Sequence, residues 1–355
     1  MLCSCTRTAH LGDNDLYWRR NRTLLGLDVG SSAVKAVEIT LHGPEPVITG
    51  FAHMEIPAGS TAADVLPELM KQGRFKARRA AAALAGPSTV VRYVPMQLMS
   101  DEELRAAIRF ESDKYLPFDV DECRLDCQAL DALEPEAKTR TVLLAAARNS
   151  LVDERVAQVR SLGLAPECID VDLFALANAW ELCAPPEADG TPRGAVALVD
   201  VGAVRTSIHV LANGRTRFSR EIPIGGTDMT AAVARRMSLD PVQAEEAKRS
   251  GEADEQVAAA AAPVLEDLAN ELALSLEYVE HHEGVVVDEV LLSGGGALCA
   301  GTREQLELAV QRPVRWWSPL EGLRVDESRV DVEQLGRWTP TLAVAVGLAS
   351  RVRAA

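Results

Sequence analysis

The sequence predicts an α/β protein with two duplicated lobes and a small α+β subdomain inserted into the first lobe. Three observations support this prediction. The stretch LLGLDVGSSAVKAVEIT, residues 24–40, is typical of a strand, a turn of small residues and a second strand. The stretch AVALVDVGAVRTSIHVL, residues 195–211, repeats this pattern. Between them, APPEADGTPRG at 184–194 is rich in Pro, Gly and acidic residues, which is typical of a linker.

The composition is that of an ordinary globular protein. The chain has 355 residues, of which 47% are hydrophobic and 25% charged, so it is long enough for two domains with separate cores. Its 37 basic and 52 acidic residues give a net charge of −15. This charge repels phosphate backbones, which argues against a nucleic-acid partner. A single nucleotide remains possible, because backbone amides and a metal ion can bind phosphate locally.

Cysteine usage and hydropathy predict a cytoplasmic location. The seven cysteines are odd in number and scattered, which favours reduced thiols over disulfides or a metal cluster. No run of about 18 apolar residues is present, so no membrane span is predicted. Residues 1–22 lack the apolar core of a signal peptide, and we expect a disordered tail there.

The first lobe is predicted at 23–183, with the inserted subdomain at about 86–146. After the first hairpin we expect a strand at 47–56 and a helix at 66–72, whereas RRAAAALAG at 78–86 fits either a helix or a buried strand. The inserted subdomain is predicted to contain a helix from Ser100 to Tyr115, opened by a Ser100/Glu103 capping box, and three strands at 90–96, 123–130 and 139–148. A helix at 150–162, a strand at 166–171 and a helix at 172–180 complete the lobe.

The second lobe is predicted at 195–355. Its opening strands contain an Asn-Gly hairpin turn, and helices follow at 227–237, 240–250 and about 261–281. A strand then ends in three glycines at 294–296, ahead of helices that begin near 302 and 339. The triplets Asp28-Val29-Gly30 and Asp200-Val201-Gly202 occupy the same corner of two equivalent hairpins, which indicates an internal duplication. Each turn offers backbone N–H groups to an anion of about the size of phosphate.

These stretches together resemble the actin-like ATPase superfamily, over about residues 24–352. DVGSSAVK and DVGAVRTS match its two phosphate loops, LLSGGGA its adenosine motif and TLAVAVGLA its second connecting helix. The resemblance implies ATP and Mg²⁺ as ligands. It implies that carboxylates contact the water shell of Mg²⁺, and that loop residues contact phosphate from both sides. The implied residues are Asp28 and Asp200 for the metal, Gly30, Ser31 and Ser32 for one side of the phosphates, Gly202, Ala203 and Thr206 for the other, and Gly294, Gly295 and Gly296 for adenine or ribose.

Five further positions have two interpretations each. Lys35 could offer charge to a phosphate or face solvent from its strand. Glu245 and Lys248 match positions where relatives contact ribose and adenine, but they also fit a solvated helical ion pair. Asp172 opens a helix where relatives carry the side chain that orients the attacking water, so it is either a catalytic residue or an N-cap. Arg205, unusual in such a loop, either binds phosphate or points away.

A closer resemblance is to the PilM-like proteins of type IV pilus machines, and its most specific signal is IRFESDKYLPF at 108–118. It implies an ATP-binding scaffold, with at most slow hydrolysis, that docks the cytoplasmic N-terminal peptide of a PilN-like protein and couples motor ATPases to the inner membrane. The scaffold would reach the membrane only through this partner. The peptide is expected near Tyr115, Leu116 and Phe118, although these side chains also fit the subdomain's own core.

Two other functions belong to the same superfamily. A sugar-kinase-like phosphotransferase needs a general base beyond the two metal carboxylates, and no candidate is obvious. An FtsA-like division protein would carry an amphipathic membrane helix, which the C-terminal SRVRAA does not provide. The scaffold is therefore the preferred prediction.

Overall fold

The computed structural model describes residues 22–130, 138–183, 194–251 and 253–353. The predicted tail at 1–22 lies outside these ranges except for Arg22, and the linker at 184–194 except for Gly194. The described strands form three sheets, of six, five and three strands. No helix within the described ranges is both long and apolar enough to span a bilayer.

The first lobe is built on the six-stranded sheet. The predicted hairpin is present as β1 (Thr23–Val29) and β2 (Ala33–His42), which pair antiparallel and are followed by β3 (Glu45–Glu55) and helix α1 (Ala62–Gly73). The ambiguous alanine-rich stretch is strand β4 (Arg79–Leu84). It lies between β1 and β8 (Ala165–Val171), parallel to both. A strand in this position is covered on both faces, which explains why small apolar residues suit it.

The inserted subdomain contains the three-stranded sheet, in the order β5-β7-β6. Its strands are β5 (Thr89–Gln97), β6 (Cys123–Ala129) and β7 (Thr139–Arg148). Helix α2 (Asp101–Phe110) has the expected Ser100/Glu103 capping box but ends before Tyr115, the predicted end. The reason is Ser112, which is buried and donates its hydroxyl to the Arg109 carbonyl, so that a 3-10 turn replaces the α-helix.

Beyond the subdomain, the chain returns to the first lobe through α3 (Asn149–Ser161), β8 and α4 (Asp172–Cys183). The second lobe then opens with β9 (Ala195–Val201), β10 (Thr206–Ala212) and β11 (Arg215–Ile222). The predicted Asn-Gly turn joins the last two strands, with left-handed φ angles of 52° at Asn213 and 70° at Gly214. The rest of this lobe comprises α5 (Gly226–Met237), α6 (Pro241–Ser250), α7 (Asp254–Glu283), β12 (Glu289–Ser293), α8 (Thr302–Val310) and β13 (Val314–Trp316).

The strand orders show the duplication that the sequence predicts. The second sheet runs β11-β10-β9-β12-β13, and the first contains the equivalent order β3-β2-β1-β4-β8. In each sheet the first three strands in sequence pair antiparallel, and the two outer strands on the other side run parallel to the first. The central strands β1 and β9 therefore place Asp28 and Asp200 at corresponding carboxyl ends.

The C-terminal segment departs from the predicted lobe boundary of 195–355. Strand β14 (Arg324–Val325) pairs with β3 of the first lobe, and after α9 (Val332–Trp338) helix α10 (Ala343–Ala349) packs on β1 and α4. The contact is close, because a Cβ added at Gly26 would lie 2.0 Å from the Ala345 carbonyl oxygen. A Cβ at Gly347 would lie 1.7 Å from the Ala175 carbonyl oxygen. Strand β14 and helix α10 thus belong to the first lobe by their contacts.

Candidate functional site

The first DVG turn places a buried ion pair at the end of β1. Asp28 and Lys35 are directly opposite in the β1/β2 register, and Lys35 Nζ lies 2.8 Å from Asp28 Oδ2. Burial alone would lower the pKa of Lys35, but attraction to Asp28, and more weakly to Asp200 and Asp172, raises it. Lys35 is therefore a charged group in contact with a carboxylate, and its amine is not turned toward open solvent.

The second DVG turn has no lysine opposite its aspartate. Ser207 is opposite Asp200 in the β9/β10 register, and Asp200 Oδ1 instead accepts a hydrogen bond of 2.9 Å from Ser293 Oγ at the end of β12. Burial raises the pKa of Asp200, although Lys35 and the Ser293 hydroxyl oppose this effect. The negative charge of Asp200 is thus less fully neutralised than that of Asp28, and a bound cation would offset the cost of burying it.

Asp172 lies within electrostatic range of both predicted metal carboxylates. Burial raises its pKa well above the ordinary value, and the charges of Asp28, Glu221 and Asp200 add to the effect. Arg155, on α3, opposes it, yet one guanidinium nitrogen of Arg155 is buried without a hydrogen-bond partner among the described residues. The structure therefore brings the three predicted carboxylates together and adds two residues that the sequence did not single out, Arg155 and Glu221.

The turn residues of the first loop are available to a ligand. The turn is closed by a 3.1 Å hydrogen bond from Gly30 N to the Ala33 carbonyl. A Cβ at Gly30 would lie 2.8 Å from that carbonyl oxygen, so the turn requires glycine. Ser31 and Ser32 are both exposed. Their hydroxyls are accessible to a ligand, and their contact with phosphate stays a prediction.

The second loop has the same turn but is held by a helix. Gly202 N donates to the Arg205 carbonyl at 2.8 Å, and the Gly202 and Ala203 carbonyls accept hydrogen bonds from the first amides of α5. Thr206 does not fit the prediction that it approaches phosphate. It is fully buried and donates its hydroxyl to the Ile224 carbonyl at 2.8 Å, because it lies inside β10 and not in the turn.

The glycine run after β12 packs mainly against the protein itself. Gly294 has a φ of +94°, and a Cβ there would lie 2.3 Å from the Val201 carbonyl oxygen. A Cβ at Gly296 would lie 2.7 Å from the Gly202 carbonyl oxygen. Gly295 is more open, with its nearest contact the Thr341 methyl group at 4.0 Å. Two of the three glycines thus allow close approach to the second loop, and Gly295 remains the position suited to a ligand.

Glu245 and Lys248 form a buried network, not the solvated ion pair that was the alternative interpretation. The Lys248 side chain is only 7% exposed. Its Nζ donates to Glu245 Oε2 at 2.8 Å, to Thr230 Oγ1 at 2.7 Å and to the Gly226 carbonyl at 2.9 Å. Although burial raises the pKa of Glu245, hydrogen bonds from Lys248 and Thr230 lower it overall. The network adjoins the glycine run, since a Cβ at Gly226 would lie 3.2 Å from Gly296 Cα.

Two contacts across the site were not predicted. Arg249, next to Lys248, donates to Glu245 and to Glu55 on β3, so α6 is linked to the first lobe. His53, also on β3, stacks on Trp338 with ring centroids 3.6 Å apart, and burial lowers its pKa to about 4. No local sequence pattern predicts these two pairs. Arg155, in contrast, could have been predicted, because it is a charged residue on the face of α3 that also carries the buried Val152 and Val159.

The carboxylates do not form a direct metal cage. Within the described ranges, no group of three or more His, Cys, Asp or Glu side chains is arranged to hold a metal ion. Mg²⁺ commonly keeps several waters and is held by one or two carboxylates together with substrate phosphates. Asp28 and Asp200 fit that mode, because the buried Asp28 and the partly buried Asp200 are each a single carboxylate beside a DVG turn.

Two sheets of equivalent strand order, each with a DVG turn at the end of its central strand, define an actin-like ATPase fold. Proteins with this fold generally bind a nucleotide and a divalent metal ion. The family model described as type IV pilus assembly protein PilM matches residues 26–353, and the chain belongs to this family.

Solved structures agree with this assignment. A chain of a "PilM-PilN type IV pilus biogenesis complex" is 31% identical, with a TM-score of 0.82, over 93% of this chain and 98% of that one. The ethanolamine utilization protein EutJ from Carboxydothermus hydrogenoformans is 16% identical, with a TM-score of 0.55, over 92% of this chain and 89% of its own. The second likeness concerns the fold alone.

Proposed function

We propose that this protein is an ATP-binding scaffold of a type IV pilus assembly platform, which docks the cytoplasmic N-terminal peptide of a PilN-like membrane protein. The observation that carries the proposal is the match in fold and sequence to the PilM chain of a PilM-PilN complex. The buried carboxylates beside two phosphate-loop turns support the nucleotide part. The scaffold would reach the inner membrane, and the pilus motor ATPases, through its partners.

Mg²⁺ and ATP would bind between the two DVG turns. Asp28 and Asp200 would hold the waters of the metal, the first loop would contact phosphate through Ser31 and Ser32, and Gly295 would lie beside adenine or ribose. Asp172 is the candidate to orient water, and its burial, together with the charges of Asp28, Glu221 and Asp200, favours its protonated form. Because a protonated carboxyl is a poor base, we expect hydrolysis to be slow.

The inserted subdomain is the proposed peptide surface. Its sheet has β5 and β6 as edge strands, and an edge strand can accept an extended peptide by β-strand addition. Tyr115, Leu116 and Phe118 pack with the subdomain's own core cluster, which also contains Leu104 and Ile108. Among the described residues of the subdomain, the exposed large apolar side chains are instead Phe110, 91% exposed, and Leu98, 56% exposed.

A deletion tests the two parts of this function separately. Thr89 and Ala147 are opposite each other in the β5/β7 register, so removing about residues 90–145 leaves two ends that can be rejoined. We expect the wild-type protein to bind the PilN-like peptide and to gain about 2.7 kcal/mol of stability from ATP·Mg²⁺ at 100 times its dissociation constant. The deletion protein should lose peptide binding and keep the nucleotide effect, because both loops lie outside the cut.

The measurements are calorimetric titration with the peptide and thermal unfolding with and without nucleotide. Asp28→Ala and Asp200→Ala should each remove the ATP·Mg²⁺ effect. A deletion protein that still captures the peptide with unchanged affinity would place the partner elsewhere. A wild-type protein whose unfolding does not respond to millimolar ATP·Mg²⁺ would contradict the nucleotide part.

A further inference from the structure

Gly86 is held by the second lobe at the point where the chain enters the inserted subdomain. It follows β4, has a φ of +93°, and accepts a 2.8 Å hydrogen bond from Thr89 N at the start of β5. Its own amide donates to Glu221 Oε2 on β11 at 3.1 Å. A glycine is needed here because its φ is in the left-handed region. The entry to the subdomain is therefore fixed by a carboxylate of the other lobe.

Arg205 of the second DVG turn contacts the same residue. A Cβ added at Gly86 would lie 2.5 Å from Arg205 Nη1 and 3.0 Å from its Cζ, so the guanidinium rests directly on the glycine. The sequence left open whether Arg205 binds phosphate, and its contact with Gly86 gives the side chain a different role. The second DVG turn and Gly86 are therefore in direct contact through this side chain.

The Arg205 backbone is part of the phosphate turn. Its carbonyl accepts the hydrogen bond that closes the turn, from Gly202 N. A Cβ at Gly225 would lie 2.7 Å from Arg205 N and 2.6 Å from the Ala203 carbonyl oxygen, so the first residues of α5 pack tightly beneath the turn. The turn, the start of α5 and the guanidinium on Gly86 therefore form one continuous packed unit.

The rest of the contact between the subdomain and the second lobe is loosely packed. Tyr93 on β5 and Ser219 on β11 share a hydrogen bond of 2.8 Å between their hydroxyls. Beside it, a cavity of about 240 Å³ separates β5 from β11. Thr89 is one of the residues that line this cavity, and its hydroxyl is buried without a hydrogen-bond partner among the described residues. A polar contact with a void beside it loses little packing when it opens.

We infer that Arg205 and Glu221 clamp Gly86 as a hinge, through which phosphate binding at the second loop changes the position of the inserted subdomain and its affinity for the partner peptide. The inference rests on the proposed function, since it links the nucleotide site to the proposed peptide surface. Arg205 is in this account a positioning residue and not a phosphate ligand.

The first test measures coupling between the two ligands. The affinity for ATP·Mg²⁺ is determined by calorimetry with and without saturating PilN-like peptide, in the wild-type protein, in Arg205→Met, and in Arg236→Met as a control. Arg236 is exposed on α5, so its replacement changes the charge equally without touching Gly86. We expect a wild-type coupling factor of about fivefold or more, preserved in the control and reduced below about twofold in Arg205→Met.

The outcomes separate the inference from the proposed function. The inference is overturned if Arg205→Met retains the coupling. It is also overturned if the wild-type protein binds both ligands with a coupling factor of one. Either result leaves the scaffold function intact. A tenfold loss of ATP affinity in Arg205→Met without peptide would make Arg205 a phosphate ligand and would also overturn it. Failure of the wild-type protein to bind either ligand would contradict the proposed function itself.

A second measurement needs no ligand. Hydrogen exchange of the backbone amides at 86–93 reports opening of the contact between Gly86, β5 and β11. Arg205→Met should speed this exchange at least threefold relative to Arg236→Met, while exchange in α7 stays the same. Equal exchange at 86–93 in the two variants would show that Arg205 does not hold the hinge.

Discussion

The two DVG turns share a backbone but differ in charge. Each is closed by a hydrogen bond from the glycine to the residue three positions later, Gly30 to Ala33 in the first lobe and Gly202 to Arg205 in the second. The first turn carries two exposed serines and a lysine paired with its aspartate. At the corresponding positions, the second turn has Ala203, Val204 and Ser207. A duplicated fold has thus been given two different chemical surfaces.

This difference in charge gives the two lobes different roles in ligand binding. In the first lobe Asp28 is compensated by Lys35 before any ligand arrives. In the second lobe Asp200 accepts a hydrogen bond from the Ser293 hydroxyl and is attracted to Lys35 without contacting it, and burial still raises its pKa. We expect the first lobe to supply polar side chains to phosphate, and the second lobe to supply a carboxylate that gains most from a cation.

The largest expected effect separates the two aspartates in the absence of nucleotide. Asp28→Asn leaves Lys35 as a buried cation without its carboxylate, and removal of one partner of such a pair should cost about 3 kcal/mol. Asp200→Asn removes a carboxylate that burial disfavours, and the new amide oxygen can still accept from Ser293. The change should therefore stay below about 1 kcal/mol. Urea unfolding of the two variants without nucleotide or Mg²⁺ measures the difference, and equal losses would contradict the comparison.

Asp172 gives a pH-dependent test of the shared carboxylate cluster. Its pKa is raised in the folded protein, chiefly by burial, so folding binds a proton and stability is lost as the pH rises above about 4, through the raised pKa. Asp172→Asn should lose less stability over this range and be more stable than the wild-type protein at pH 8. Each unit by which the pKa is raised corresponds to about 1.4 kcal/mol.

The measurement is urea unfolding between pH 4 and pH 8 without ligand. Asp267→Asn is the matched control, because Asp267 is exposed on α7 and its replacement should leave the pH dependence of the wild-type protein unchanged. If the stability of Asp172→Asn varies with pH in parallel with that of the control, the pKa of Asp172 is not raised in the folded state.

The repeated turns and most elements could be predicted from the sequence because they depend on local pattern. Strand alternation, the DVG triplets and the Asn-Gly turn specify both hairpins without knowledge of the rest of the chain. The predicted site residues Asp28, Asp172 and Asp200 lie near one another because each is at the carboxyl end of a strand: Asp28 and Asp200 are the last residues but one of β1 and β9, and Asp172 directly follows β8. Even the pairing of Lys35 with Asp28 follows from the length of the turn, although the sequence alone left its direction open.

Contacts between distant segments could not be predicted in this way. Arg249 meets Glu55, and Arg205 meets Gly86, only after both lobes have folded. The return of β14 to the first sheet is equally non-local, since two residues are too few to show a strand pattern. The glycine run at 294–296 was predicted as a ligand contact, but Gly294 and Gly296 are explained by the Val201–Gly202 backbone beneath them. A glycine in the sequence indicates that another group comes close to the backbone, but not whether that group belongs to a ligand or to the protein itself.

The smallest expected effect concerns the exposed residues of the two turns, and it tests whether the first turn alone binds phosphate through side chains. Ser31 and Ser32 are exposed, so the double variant Ser31→Ala/Ser32→Ala should change the free energy of unfolding by no more than about 0.5 kcal/mol. Because a hydrogen bond to a charged group contributes about 1.5 kcal/mol or more, affinity for ATP·Mg²⁺ should fall at least tenfold.

Val204→Ala is the control from the second turn, where the side chain is 42% exposed and has no hydroxyl to lose. Calorimetric titration should show its affinity within about twofold of wild type, because the second turn can offer phosphate only backbone groups. Equal losses in the two variants would mean that the side chains of both turns face the nucleotide in the same way, and the division of tasks inferred from their different chemistry would be wrong.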